Sequence, residues 1–371
     1  MSLSASDLEE ARLWMALSLI PGLGGQRFCQ LLKAFGSPEQ IFAAPHDALR
    51  QVVPEPVAEA ITAGPDLAAT DFAANWLMQE NNHLLTLADS RYPPALLEIA
   101  DPPPLLYAKG QLAAFDLPGM AIVGSRNATP QGEKNAADFA QALCEQGYCV
   151  ISGLALGIDG AAHQGALRAK GITIAVVGTG LDIVYPSKHR ALAHQIVEQG
   201  LIISEFALGT PSRPQNFPRR NRLISGLSQG CLVVEANAKS GSLITARLAA
   251  EQGREVFAIP GSIHSPVSKG CHELIKQGAK LVDCIQDIVQ EMAPLHSQQQ
   301  QASQEDAFEG HDPEETPHTQ LLACMGYDPI SIDALQQSSG LTSDSLSAML
   351  LILELENKVA ALPGGRYQRM S

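Results

Sequence analysis

The middle of the chain alternates short apolar runs with longer runs that have a helical spacing of hydrophobic positions. The strand-like runs are 121–124, 149–153, 172–178, 201–206, 231–236 and 255–261. The helical runs between them include 131–146, 161–169 and 243–252. Strand, glycine-containing loop and helix recur about every 25 residues, which predicts an α/β fold with a doubly wound, mostly parallel sheet. The uninterrupted apolar strands favour burial on both faces of that sheet.

The flanking segments differ in pattern from this central part. Residues 1–80 are rich in Ala and Leu with helical spacing, which predicts a small helical domain, and residues 84–290 form the sheet domain. Residues 291–317 are polar, acidic and rich in Gln, as is typical of a flexible linker. Residues 318–371 regain an apolar pattern. There we expect helices at 330–338 and 343–356 and a hairpin at 359–368, the order of a winged helix.

The charge distribution limits where a polyanion can bind. The net charge is −14, which argues against a general nucleic-acid binder. Residues 1–114 hold 6 Lys and Arg against 13 Asp and Glu, and residues 291–371 hold 3 against 12. Residues 115–290 hold 16 against 14 and are the only part that is not acidic. A polyanion is therefore expected in a local pocket of the middle segment.

Composition also bears on compartment and cofactors. The seven cysteines are scattered without a Cys-x-x-Cys pair, so we expect a reducing cytoplasm, no disulfide framework and no metal site. The sequence contains no uninterrupted apolar run of about 18 residues, so we expect no membrane span. Neither a Gly-x-Gly-x-x-Gly fingerprint nor a Walker lysine motif occurs, so no cofactor is expected and a nucleoside-triphosphate enzyme is disfavoured.

Several predicted strands end in residues that bind phosphate well. Glycine lets backbone N–H groups approach an anion, hydroxyl groups add donors, and the following helix points its positive end at the same place. These strand ends are Gly124-Ser125-Arg126, Ser152-Gly153, Gly178-Thr179-Gly180 and the segment Lys239 to Thr245. Because parallel strands end at one edge of a sheet, we predict one phosphate-binding pocket there. The alternative is that these glycines only form tight turns.

A second candidate is the arginine-rich segment 216–227. Arginine binds phosphate oxygens in a bidentate way, and Phe217 offers a ring for base stacking. Asn221 can donate to a phosphate or contact a base edge. On a helix Arg219 and Arg222 share one face, while Arg220 points elsewhere. The alternative is a salt-bridged helix start, with Glu205, Glu235 or Asp159 as the carboxylate partners.

The order of these blocks resembles the DprA/Smf family of DNA-processing proteins. The matching stretches are AIVGSRNATPQG (121–132), SGLALGIDGAAHQGAL (152–167), GTGLDIVYP (178–186), SEFALGTPSRPQNFPRRNRLISGLS (204–228), VVEANAKSGSLITA (233–246), GREVFAIPGS (253–262) and SKGCHELIKQGA (268–279). The resemblance implies an extended Rossmann-like fold, single-stranded DNA binding, homodimerisation and loading of the RecA recombinase during natural transformation or recombination. It implies a binding protein rather than an enzyme.

Carried over by position, the resemblance assigns a set of DNA-binding residues. They are Gly124, Ser125, Arg126, Ser152, Gly153, Phe217, Arg219, Asn221, Arg222, Lys239, Ser240, Gly241, Ser242 and Thr245, together with Lys188 and Arg213 where the alignment is looser. One departure is Leu156, where the family often has Arg before Gly-Ile-Asp. We therefore expect that loop to contact DNA through its backbone alone.

Other functions remain open at this point. The alternative is a nucleotide hydrolase of the lysine-decarboxylase-like group, in which Asp159 and His163, one helical turn apart, would act as acid and base. The turn at 19–24 resembles a helix-hairpin-helix that contacts DNA, but it also fits a simple helical bundle or a sterile-alpha-motif-like protein contact. Acidic residues on the helix at 343–356 disfavour a transcription factor, so we expect the winged helix to have a protein-contact or regulatory role.

Overall fold

The computed structural model describes residues 5–292, 321–322, 324–356 and 358–370. The predicted linker, apart from its first two residues, lies outside the described residues. Within the described part, no helix has both the length and the apolar character needed to cross a membrane.

Helices fill the region before the sheet. They are α1 (Ala5–Ser18), α2 (Gly25–Phe35), α3 (Pro38–Ala43), α4 (His46–Leu49), α5 (Glu55–Thr62) and α6 (Asp71–Leu77). Their apolar faces share a core in which Trp14 and Phe28 stack at 5.6 Å between ring centroids. That core continues onto Leu84 and Tyr107 of the first two strands, so the helical region packs directly against one end of the sheet.

Between residues 82 and 281 the chain forms a nine-stranded sheet. The strands are β1 (Asn82–Thr86), β2 (Leu105–Gly110), β3 (Gly119–Val123), β4 (Cys149–Ser152), β5 (Thr173–Val176), β6 (Leu201–Ser204), β7 (Gly230–Val233), β8 (Glu255–Ala258) and β9 (Lys280–Leu281). Their order is β1-β2-β6-β5-β4-β3-β7-β8-β9. Strand β2 is antiparallel to both of its neighbours, and the remaining pairs are parallel.

Helices cover both faces of this sheet, as the continuous apolar strands predict. They are α7 (Pro130–Glu145), α8 (Ile158–Arg168), α9 (Arg190–Gln199), α10 (Asn216–Gly226), α11 (Ser242–Glu251), α12 (Lys269–Lys276) and α13 (Ile285–Met292). Ala121 and Val123 of β3 face the core shared with α10, α11 and α12. Met120 and Ile122 face the core shared with α7, α8 and α13.

The C-terminal region has the order expected of a winged helix. Its elements are β10 (Ile330–Ser331), α14 (Ile332–Ser339), α15 (Ser343–Leu355), β11 (Val359–Leu362) and β12 (Arg366–Arg369). They enclose a separate small core that includes Leu335, Leu346, Leu350 and Val359. The predicted fold class, a mostly parallel α/β sheet with helices and a C-terminal winged helix, is confirmed.

Candidate nucleic-acid interface

A crevice of about 640 Å³ opens where the strand order reverses. From β3 the chain proceeds outward through β4, β5 and β6, and then returns to place β7 on the other side of β3. The loops that follow β3 and β7 therefore diverge and leave a gap between them. Ligands usually bind in this gap in such sheets. Ten of the predicted site residues line this crevice: Gly124, Ser125, Arg126, Phe217, Asn221, Lys239, Ser240, Gly241, Ser242 and Thr245.

The start of α11 forms one wall with the chemistry of an anion site. The Ser240 and Ser242 hydroxyl oxygens lie 2.7 Å apart, and Ser242 is the first residue of the helix. The Asn237 side chain accepts from the backbone N–H of Lys239 at 3.3 Å and so fixes the turn before them. The Lys239 side chain is exposed beside this turn. Hydroxyl donors, the positive end of a helix and a lysine together suit a phosphate group.

The corresponding position at the start of α7 is already occupied by the protein's own carboxylate. Glu235 accepts from the backbone N–H of Thr129 at 2.9 Å and from its hydroxyl at 2.6 Å. A Cβ on Gly132, in the first turn of α7, would lie 2.4 Å from the Glu235 carboxyl carbon. Burial raises the pKa of Glu235, and its bonds to Thr129 oppose that rise. The helix that binds pyrophosphate in dinucleotide-binding folds is thus closed to a nucleotide here.

Arg220 and Asp159 lie at the floor of the crevice as a buried pair of opposite charges. Arg220 donates to the carbonyl oxygen of Gly153 at 2.6 Å and also to that of Val176. Asp159 accepts from the backbone N–H groups of Gly153 at 3.1 Å and Ala155 at 3.3 Å. Burial lowers the pKa of Arg220 to about 10 and raises that of Asp159, and their mutual attraction opposes both shifts.

An aromatic group lies at the opposite wall. The ring centroids of Phe217 and Tyr185 are 5.7 Å apart, and the guanidinium carbon of Arg126 lies 5.3 Å from the Phe217 centroid. Sequence reasoning did not single out Tyr185, nor Asn127 and Asn237, which also line the crevice. Tyr185 belongs to the block GTGLDIVYP, and an aromatic residue in a loop after a predicted strand was the signal that could have identified it.

Arg219 and Arg222 do share one face of α10, as predicted, but they do not line the crevice. Both donate to one oxygen of Glu205, at 2.8 Å from Arg219 and 2.6 Å from Arg222. The Nε of Arg222 also lies 3.6 Å from Asp101. Burial raises the pKa of Glu205, which the two arginines oppose. We name these four side chains the arginine–carboxylate cluster; it is the salt-bridged arrangement that the sequence left open.

The other predicted contacts lie around the crevice rather than on its walls. The Ser152 hydroxyl is fully buried and donates to the Ile122 carbonyl oxygen at 2.6 Å, and Gly153 lies beneath Arg220. Lys188 and Arg213 are exposed outside the crevice lining. The structure therefore brings together the loops after β3 and β7 and the start of α10, while Ser152 and Gly153 support that arrangement from below.

The proposed acid–base pair is not arranged for hydrolysis. His163 is fully buried and does not line the crevice, whereas Asp159 does. The Nδ1 of His163 lies 2.7 Å from the hydroxyl oxygen of Thr173, whose own hydrogen is donated to Val150. His163 therefore donates to Thr173, and burial lowers its pKa to about 3. A histidine in this position is a neutral core residue, which disfavours the nucleotide-hydrolase alternative.

The turn between α1 and α2 is better explained by packing than by DNA contact. Gly22 in this turn has a φ of 82°, a left-handed conformation that favours glycine. A Cβ on Gly25, the first residue of α2, would lie 2.8 Å from a carboxylate oxygen of Asp101. A carboxylate already at the start of α2 competes with any DNA phosphate there, which favours a structural role for the turn.

Comparison with known proteins agrees with these features. The family model for DNA recombination-mediator protein A matches residues 83–293, and that for the DprA winged helix domain matches residues 305–365. Protein Smf of Escherichia coli K12 is 44% identical over 299 residues, which cover 80% of this chain and 79% of that protein.

Two solved structures extend the comparison. The X-ray structure of DNA processing protein A from Streptococcus pneumoniae has a TM-score of 0.66 and 38% identity, and it covers 78% of this chain and 99% of that one. DNA processing protein A from Helicobacter pylori, whose structure is described as showing a single-stranded DNA binding mode, has a TM-score of 0.52 and 32% identity over 57% of this chain and 96% of that one. The chain belongs to the DprA/Smf family of DNA recombination-mediator proteins.

Proposed function

We propose that this chain binds single-stranded DNA in the crevice between the loops after β3 and β7. The observation that carries the proposal is the convergence of Arg126, Lys239, Ser240 and Ser242 from separate segments on one cavity of an acidic protein. Phosphate oxygens would meet the start of α11, and bases would meet the aromatic wall. The single-stranded DNA binding described for the H. pylori relative supports this choice of ligand.

The test is the salt dependence of oligo-dT binding, followed by fluorescence anisotropy. Lys239→Ala should weaken binding and reduce the slope of log K against log salt by about 0.7, because one phosphate contact is lost. Arg168→Ala is the control, since Arg168 is exposed at the end of α8 that points away from the crevice. Equal affinities and slopes for wild type and Lys239→Ala would contradict the proposed site.

Handing the DNA to RecA is the second part of the proposal, supported by the recombination-mediator family. A mediator must leave some DNA phosphates uncontacted, so that a recombinase can bind the strand and displace the mediator. We expect the wild-type chain to shorten the lag of RecA ATP hydrolysis on oligo-dT coated with single-strand binding protein. Lys239→Ala should not do so. If the wild type bound DNA but left the lag unchanged, RecA loading would be refuted while DNA binding remained.

We further propose a homodimer. Ile224, Leu227 and Leu274 are apolar residues that could be considered for the dimer contact, but all three are buried in the core and therefore cannot form it. Among the described strands β9 is the last of the sheet and exposes Leu281, and the loop after β8 exposes Ile263. Unpaired edges and exposed apolar side chains favour association between copies. Sedimentation at micromolar concentration should show a dimer that Leu281→Glu dissociates; a wild-type monomer would refute the proposal.

For the winged helix we propose a protein contact rather than duplex binding. Leu351, Ile352 and Leu355 are exposed along α15, the helix that would enter a major groove, and Glu354 is exposed beside them. Apolar and acidic side chains do not suit a phosphate backbone. We expect a duplex to compete poorly with oligo-dT for the whole chain. Preferential duplex binding would overturn this assignment.

A further inference from the structure

Phe217 is largely covered by its neighbours within the crevice. Tyr185 packs against its ring at an interplanar angle of 39°, and the Arg126 guanidinium lies over it at 5.3 Å. The backbone of Gly178 is also close, because a Cβ at that position would lie 3.1 Å from Cδ1 of Phe217. The Asn216 side chain donates to the Gly178 carbonyl oxygen at 2.9 Å and so holds the start of α10 against this loop.

Tyr185 is more exposed to solvent than Phe217. Tyr185 lines the crevice and is 45% exposed, whereas Phe217 is partly buried between its neighbours. An exposed aromatic ring costs free energy in water, and its packing against Phe217 fixes its direction. The exposed flat surfaces at this wall are therefore the Tyr185 ring and the Arg126 guanidinium, with Phe217 behind them.

We infer that Tyr185 is the ring on which an unpaired nucleobase stacks, and that Phe217 is a positioning residue for Tyr185 and Arg126. This inference rests on the proposed single-stranded DNA binding. Base-to-aromatic stacking tolerates any base but requires a base that is not paired in a duplex. Tyr185 thus supplies selectivity for single strands, while Ser240 and Ser242 hold a phosphate that is common to both forms.

The crevice lining also includes apolar side chains that suit a base. Ile244, exposed to 39%, and the side chains of Pro214, Pro218 and Val267 line the crevice together with Tyr185. A phosphate gains nothing from such a surface, whereas the faces and edges of a base and its sugar do. The crevice therefore combines polar groups that suit the backbone with apolar surface that suits one base.

The experiment compares two ligands of equal charge, an oligo-dT and an abasic oligomer of the same length. Tyr185→Ala should bind oligo-dT about tenfold more weakly, since stacking contributes about 1–3 kcal/mol for each base. Its affinity for the abasic oligomer should equal that of the wild type. Tyr185→Phe should restore oligo-dT binding, because the ring remains, while Tyr185→Leu, which fills the same space without a ring, should not.

Three results would overturn the inference. Unchanged oligo-dT binding by Tyr185→Ala would show that no base stacks there. Equal losses on both ligands would show that the ring acts only through the fold or through Arg126. Full binding by Tyr185→Leu would show that apolar volume suffices. Wild-type protein that bound neither ligand would instead refute the proposed function itself, so the two failures are distinguishable.

Discussion

Arg220 occupies the space that a side chain at residue 153 would need. Its Nη1 donates to the Gly153 carbonyl oxygen at 2.6 Å, and a Cβ on Gly153 would lie 2.4 Å from that same nitrogen. The glycine that follows β4 therefore leaves room for the guanidinium rather than for a DNA phosphate. Gly153, which was predicted to contact the ligand, instead helps to hold Arg220 at the floor of the crevice.

This relationship predicts that Gly153→Ala is destabilising. Displacing Arg220 would cost about 2 kcal/mol from overpacking and from weakened buried hydrogen bonds. Urea denaturation measures the loss. Gly241→Ala is the matched control, because Gly241 has φ −64° and no heavy atom within 4 Å of an added Cβ. Equal stability of the two variants would contradict the proposed role of Gly153.

Arg222→Ala should act mainly on stability. Its removal leaves the buried Glu205 carboxylate with only Arg219, which is half exposed. Losing one partner of a buried pair costs about 3 kcal/mol. Arg219→Ala, which removes the exposed partner, should cost less than about 1 kcal/mol. Thermal unfolding of both variants is the measurement, and an Arg222→Ala protein of wild-type stability would show that the arginine–carboxylate cluster is not a structural element.

The buried His163 predicts a pH dependence. Its pKa is lowered to about 3 by burial, whereas an unfolded histidine titrates near 6.5. The unfolded chain therefore binds a proton below pH 6.5 that the native chain does not, and stability falls as pH falls from 6.5 toward 3. The stability advantage of wild type over His163→Asn should shrink by about 2 kcal/mol between pH 7.5 and 5. A constant difference would mean that His163 charges in the native state.

Removing the Glu235 carboxylate should allow an anion to bind at the start of α7. Without this carboxylate, the backbone N–H and the hydroxyl group of Thr129, the residue just before α7, lose their acceptor. Glu235→Ser should therefore be less stable than wild type, and tens of millimolar inorganic phosphate should raise its Tm more than that of wild type. Glu235→Gln, which keeps an acceptor at that position, is the control. Equal phosphate effects on all three proteins would contradict the idea that Glu235 closes this site.

The sequence predicted the sheet and the convergence of the strand ends because these depend on local patterns. Parallel strands end at one edge, so Ser125 after β3 and Ser242 after β7 had to approach each other. Helical spacing also separated Arg220 from Arg219 and Arg222. The helical spacing did not show which face of α10 points into the protein, because that depends on Glu205, which follows a different strand.

Tyr185 escaped prediction for a related reason. It lies in the irregular segment after β5, where no periodicity relates a side chain to the sheet. Its neighbour Phe217 comes from α10, and their contact is set by how that helix begins on Gly178. Likewise the closure of α7 by Glu235 joins residues more than a hundred positions apart, which a single sequence does not relate.

Photo-cross-linking of the whole chain to a short oligo-dT that contains 4-thiothymine tests the central claim most directly, with mass spectrometry to locate the attached peptides. We expect attachment to peptides that contain residues 124–127, Tyr185 or residues 237–245, with loss of the signal when unlabelled oligo-dT is added. Attachment confined to the turn at 19–24 or to α15 would contradict it.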